Sequence, residues 1–344
     1  MRSSYQHTFF AEVLMKTWRT FWFVAVAAIA LLMPACGGGG GGGGGGEDIT
    51  IADEAYTGVR TQAEIDAVNA EALVLGAYAY GDFGGIIPLA ASPAANGSIS
   101  EKISDPFKLA TLFKQTASLV KQDLKINTQS LLPPNELCIN YPAGYTSDTL
   151  EQSDSGSTVT VKGDIIYTNC DTGEGFIVNG TTNLSMTLNL NTFLITKFAM
   201  TMNPIQADDG SMAFALYGRI SGSEDYDNSG FLVTHFNFEI TLDDLAGHTY
   251  WLNNNKMDDT EESFGIRSTS SGRYYDNDYG YVDFTTAVPI FVPYNSSEAT
   301  YDGRIEYTGS NGSQATLSLG PNESDYCING SNTTEDFSFG TCVP

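Results

Sequence analysis

Beyond the Pro133-Pro134 pair the sequence is built from short runs in which every second residue is apolar. Val159, Val161, Ile165 and Tyr167 form one run, and Leu184, Met186, Leu188 and Leu190 a second. Met212, Phe214 and Leu216 form a third; Leu232, Phe236, Phe238 and Ile240 a fourth. Side chains along a strand point alternately to two faces, so this period fits half-buried strands and no helix. Clusters of Gly, Asn, Asp, Ser and Thr separate the runs. Asn179-Gly180, Asp209-Gly210 and Asn311-Gly312 have the chemistry of hairpin turns. About ten strands fit between residue 133 and the end, with no second helical pattern among them. Connections this short imply an antiparallel meander. A Gly-x-Ile echo recurs at Gly163, Gly218 and Gly303. Its spacing is irregular, and glycine inside a strand marks a bend or bulge in a curved sheet.

The helical signal lies before Pro133. Thr61-Gln-Ala-Glu64 reads as a capping box, followed by Ile65, Val68, Ala72 and Leu75 at helical spacing. This predicts a helix over 62–75, then a Gly-rich buried loop or irregular strand over 76–95. Asp105-Pro106 offers an N-cap and a proline at the first helical position. Leu109, Phe113, Ala117, Val120 and Leu124 share one face, with lysines around it, which predicts an amphipathic helix over 106–125. An antiparallel sheet with one apolar face must be covered, and these helices are the candidates. The expected fold is therefore α+β and mainly antiparallel β: two N-terminal helices on a long curved meander. In domain terms, 47–132 is a helical segment and 133–344 an antiparallel β domain, sharing one core.

Charge narrows the partners. Residues 1–36 hold Arg2, Lys16, Arg19 and Glu12, so 13 of 16 basic and 40 of 41 acidic residues lie beyond them. Nucleic-acid binding needs a basic footprint, which this chain lacks. Four cysteines follow Cys36: Cys138, Cys170, Cys327 and Cys342. Four cysteines allow three pairings. Nearest-neighbour pairing, Cys138–Cys170 and Cys327–Cys342, is preferred. A zinc site is the alternative, disfavoured because there is no C-x-x-C and only His235 and His248 remain beyond residue 36.

The N-terminus gives an address. Lys16 and Arg19 precede an apolar run from Phe21 to Met33, and small residues lead to Cys36. That is the layout of a secretory signal peptide, and the run is shorter than the roughly 20 residues of a membrane span. Leu32-Met33-Pro34-Ala35-Cys36 resembles the lipobox of bacterial lipoproteins. The resemblance implies diacylglycerol on the Cys36 thiol, cleavage before Cys36 and acylation of its new amino group. It covers residues 15–36 only. It departs from the family pattern at Met33, where leucine is commoner, and at Pro34. With Glu12 and His7 ahead of the run, Met15 is a better initiator than Met1. Residues 1–35 are thus read as a signal peptide, and 36–46 as a lipidated cysteine and a glycine tether. Ten glycines span roughly 17 Å as an ideal coil. In the lipoproteins it resembles, aspartate after the cysteine favours inner-membrane retention, so Gly37 implies the outer membrane. The mature part is similar in style to β-rich envelope lipoproteins of Gram-negative bacteria.

Little chemistry is legible. Asp225-Tyr-Asp227-Asn-Ser229-Gly230 resembles the opening of a calcium loop, with Asp225, Asp227 and Ser229 as ligands. The twelfth position of such a loop, a bidentate glutamate in EF-hands, is Phe236. A polar hairpin turn is the competing reading. Asp276-Asn-Asp278 is a similar case, and Tyr274, Tyr275, Tyr279 and Tyr281 around it could form a sugar-stacking surface or ordinary packing. There is no G-x-S-x-G, no H-E-x-x-H and no P-loop. His235 sits opposite in phase to Leu232, Phe236 and Phe238 and is expected on the solvent face. No catalytic residue is assigned. The expectation is a non-catalytic binding or structural module of the envelope, held to the membrane at Cys36, with a protein, glycan or lipid ligand. The alternatives are a carrier of a lipophile in a helix-covered cavity and a hydrolase with an unrecognised acid site.

Overall fold

The structure, a computed structural model, describes residues 50–81, 138, 145–146, 150–171, 177–208, 213–293, 302–320 and 326–340. The helix expected over 106–125, Cys36, the glycine tether and the Asp209-Gly210 turn lie outside them. Among the described residues no helix is long and apolar enough to cross a membrane.

One antiparallel sheet contains every described strand: β1 (Tyr145–Thr146), β2 (Glu151–Ser155), β3 (Thr158–Asp171), β4 (Ile177–Asn189), β5 (Ile195–Asp208), β6 (Ala213–Tyr226) and β7 (Leu232–Asp243), then β8 (Thr249–Glu262), β9 (Gly265–Asp276), β10 (Gly280–Pro293), β11 (Asp302–Thr308), β12 (Gln314–Leu319), β13 (Tyr326–Ser331) and β14 (Asp336–Gly340). From β3 to β14 each strand pairs with the next, and β1 and β2 both flank β3. The expected meander is borne out, with more strands than the alternation suggested. The extra ones are short: β11 to β14 have five to seven residues each, too few to show a period clearly.

Alternation sets the two faces. Val161, Ile165, Leu184, Met186, Leu188, Met200, Met202 and Leu216 are fully buried on the inner face. Lys162, Asp164, Lys197 and Arg219 look outward. The sheet is curved. Gly163, Gly218 and Gly303, the echo in the sequence, all adopt positive φ (147°, 123° and 151°). Asn169 and Asn254 are left-handed at two of the register shifts that interrupt the ladders. Such irregularities bend strands and sharpen twist.

Among the described residues two helices precede the sheet: α1 (Ile51–Ala55) and α2 (Ala70–Gly81). α2 buries Leu73, Val74, Ala77 and Tyr78 in the main core and touches β8, β9, β10, β12 and β13. Strands β8 and β13 are five positions apart, about 24 Å at ~4.8 Å per strand. At 12 residues, about 18 Å long, α2 reaches across this half of the sheet.

The helix expected over 62–75 is shifted. Thr61 and Glu64 form no capping box; 61–66 is extended and α2 starts at Ala70. Long-range pairing holds the segment: Thr61 O accepts from Tyr281 N, Ala63 N donates to Tyr281 O, and Ile65 N donates to Ser313 Oγ. The cap lies five residues on. Asp66 Oδ1 accepts from Val68 N and Asn69 N, while Asn69 Oδ1 accepts from Asp66 N at 3.0 Å. That reciprocal pair does the work of a capping box. Residues 76–81, expected as loop or irregular strand, continue the helix.

Two other local readings divide. Asn311-Gly312 is a turn between β11 and β12 with both residues at positive φ, as expected. Asn179-Gly180 is not a turn. It lies within β4, where Asn179 Oδ1 accepts from Asn169 N and Gly180 stands at a register shift. Cys138 and Cys170 form a disulfide, as the nearest-neighbour reading expected. Cys327 is disulfide-bonded, while Cys342 lies outside the described residues.

Candidate functional site

The outer face of β6–β10 carries the most organised polar and aromatic chemistry. Its first part is a strap made by residues 50–63. α1 is capped by Thr50, whose Oγ1 accepts from Asp53 N and donates to Glu239 on β7. Thr241 Oγ1 donates to Ala52 O at 2.7 Å. Ala52 lies over Gly218, where a Cβ would run into the Glu239 carbonyl. The chain then crosses β8 and β9. Thr57 N donates to Thr249 Oγ1 and Val59 N to Asn277 O, before Gln62 bridges Tyr281 in parallel.

Tyr56 is the pin. It packs against both Trp251 (centroids 5.7 Å) and Tyr275 (5.4 Å), which stack on each other at 4.5 Å. Its single hydroxyl proton is shared between two carbonyl acceptors, Val59 O and Asp276 O, at 2.9 and 2.8 Å. Burial, with Asp276 nearby, pushes that phenol well above its ordinary range, so it stays a donor. Arg60 lies over both the Tyr56 and Trp251 rings and pairs with Asp53. Tyr281 continues the cluster, with Arg273 3.9 Å from its centroid; Arg273 is held by Asp283.

This arrangement answers the tyrosine question. Tyr274 is buried in the inner core, Tyr275 sits under the strap, and Tyr279 stands in the β9–β10 turn. Adjacent residues of a strand face opposite ways, so the four tyrosines form no shared stacking surface. In that turn Asp276 Oδ1 accepts from Asp278 N and Tyr279 N. Burial nevertheless raises its pKa, outweighing those two donors.

The second part is a histidine clamp near the other end of the strands. His235 faces outward, as its phase predicts. Its Nδ1 is 2.6 Å from Asp258 Oδ1 on β8, and its Nε2 is 3.3 Å from Asp225 Oδ1 on β6. Ser223, His235 and Asp258 occupy one row across three strands. The row holds the residue types of a nucleophile, base and orienter. However, the nitrogen that would take a serine proton faces a second carboxylate. The hydrogen bond to Asp258 raises the imidazole pKa, with partial burial opposing and Asp225 adding to it. This geometry holds a proton rather than shuttling one.

The calcium-like residues separate here. Asp225 turns to His235. Asp227 Oδ1 accepts from Ser229 N and Phe231 N, closing the β6–β7 turn. Ser229 supplies that backbone donor. Among the described residues no three His, Cys, Asp or Glu side chains converge as a metal site. His248 lies in the β7–β8 turn, with Nδ1 3.0 Å from Asp244 Oδ2. Burial works against the Asp244 carboxylate, yet the N–H groups of His248 and Ala246 and the imidazole together hold its pKa below the ordinary value.

The clamp was hidden in the sequence because its members are 10 and 23 residues from His235. One signal pointed to half of it: a turn centred on Ser229 sets His235 opposite Ser223 and next to Asp225. Nothing local pointed to Tyr56. Comparison with family models, with curated proteins and with solved structures finds no match.

Proposed function

We propose that this chain is a lipid-anchored protein of the bacterial cell envelope, held to the outer membrane through Cys36. Its folded part acts as a non-catalytic binding or structural module. The observation behind this reading is how the fold begins. The described chain starts just after the glycine run and is fastened at once across β6 to β10 by Thr50, Tyr56, Val59 and Ala63. A pull on the tether would load hydrogen bonds and an aromatic cluster spread over five strands, instead of peeling one terminal strand. Such fastening suits a scaffold displayed on an anchor.

Close packing between α2 and the sheet, among the described residues, supports the module over the carrier. Between α2 and the sheet, a void of about 10 Å³ lies among Ala77, Tyr78, Met257, Ser268, Phe284 and Ile305. That is room for about one water.

The test combines labelling with radioactive palmitate, detergent-phase partitioning and organic extraction. Wild-type protein should take up label and partition into detergent, and Cys36→Ser should do neither. Labelling that survives Cys36→Ser would refute the anchor. A stoichiometric lipid in the extract would replace the module with the carrier.

A further inference from the structure

The clamp on His235 leads beyond that reading. Both nitrogens of one imidazole face carboxylate oxygens on neighbouring strands. A neutral imidazole has one N–H and one lone pair. With a neutral ring, one of the two contacts would set lone pair against lone pair; only the imidazolium donates to both. We infer that His235 is a proton-operated latch: protonated, it ties the end of β6, at Asp225, across β7 to Asp258 of β8, and on losing its proton it releases Asp225.

The surroundings make the latch specific. From β6, Asp225 faces the ring and Ser223 lies opposite it; Arg219, further along, is paired in register with Glu239 of β7. From β8 come Asp258 and Lys256, the latter opposite Asn237. Lys197 of β5 lies on the same face, one strand beyond Ser223. On β9, Thr269 is opposite Asp258, and Arg267 is held by Glu262. The two carboxylates in contact therefore outweigh two lysines that are more distant and exposed. Release has a defined consequence. Asp225 is two residues from Asp227, whose carboxylate closes the hairpin turn. Opening the latch frees the end of β6 from its tie to β8, leaving it to the β6–β7 ladder and the hydrogen bond from Ile195 N to Glu224.

The raised pKa of His235 fixes the direction. A histidine whose folded pKa lies above its unfolded value of about 6.5 contributes stability that is complete below that value. The contribution is lost as pH rises through the folded pKa. The latch is closed in mildly acidic medium and open in alkaline medium.

Hydrogen exchange of the full chain, read on peptides spanning residues 223–236, tests this against His235→Gln at matched pH. Wild type should exchange several-fold more slowly than the variant at pH 5.5, and the ratio should fall to one at alkaline pH. Asp225→Asn leaves the ring and Asp258 in place, and should lower the imidazole titration midpoint seen by NMR. A ratio independent of pH would overturn the latch. So would a wild-type His235 midpoint at or below 6.5, or a midpoint unmoved by Asp225→Asn.

Discussion

Tyr56→Ala should undock the strap while leaving the sheet folded. The ring is almost fully buried, at 3 % exposure, against Trp251 and Tyr275. Truncating a buried aromatic costs about 3–5 kcal/mol. That figure includes the hydroxyl's hydrogen bond, one proton shared between Val59 O and Asp276 O, at about 1 kcal/mol. It also includes the Arg60 guanidinium stacked on the ring, at about 0.5–1 kcal/mol. A loss of that size shifts strap docking by about two to three and a half orders of magnitude, at 1.4 kcal/mol per tenfold. The sequence provides its own reporter. Of three tryptophans, Trp18 and Trp22 precede Cys36, so the chain cleaved there keeps only Trp251. Trp251 is 5 % exposed. In Tyr56→Ala its emission should shift to the red and acrylamide should quench it several-fold better. Tyr56→Phe keeps the ring and should lose only about 1 kcal/mol, from the shared hydrogen bond, with emission close to wild type. Native-like emission and quenching in Tyr56→Ala would show that the strap does not depend on this pin.

Two further outcomes are expected. Replacing both Cys138 and Cys170 by Ala removes a cross-link between residues 32 apart, which the chain-entropy model values at about 3–4 kcal/mol; thermal melts matching wild type would contradict it. Asp276→Asn should be neutral or stabilising near pH 7. The amide oxygen can still accept from Asp278 N and Tyr279 N, and the buried charge is gone. Because burial raises the folded pKa of Asp276 above its unfolded value, this group favours folding more as pH falls through the folded pKa. The gain of the variant over wild type should therefore shrink in acid, and a gain that grows in acid would refute the assignment.

Some of this molecule follows from sequence alone. Period-two alternation placed Val161, Leu184, Met186 and Phe238 inward and His235 outward, because side-chain direction along a strand is fixed by covalent geometry. Asn311-Gly312 made its turn because two consecutive residues at positive φ need that chemistry. Cys138 and Cys170, consecutive among the four cysteines beyond Cys36, are bonded.

Other features were decided by tertiary contacts. A local cap is worth about 1 kcal/mol, and at Thr61–Glu64 it lost to backbone pairing with Tyr281 and a hydrogen bond from Ile65 N to the Ser313 hydroxyl, so the helix waits for Asp66. Alternation says which face a residue occupies but not which neighbour it meets. His235 therefore gained two carboxylates, and Trp251 and Tyr275 became the seat of Tyr56, only once ladder register and the path of the strap were set. Register and crossing path arise from closing contacts between residues far apart in the chain, such as Tyr56 with Trp251, for which no local pattern exists.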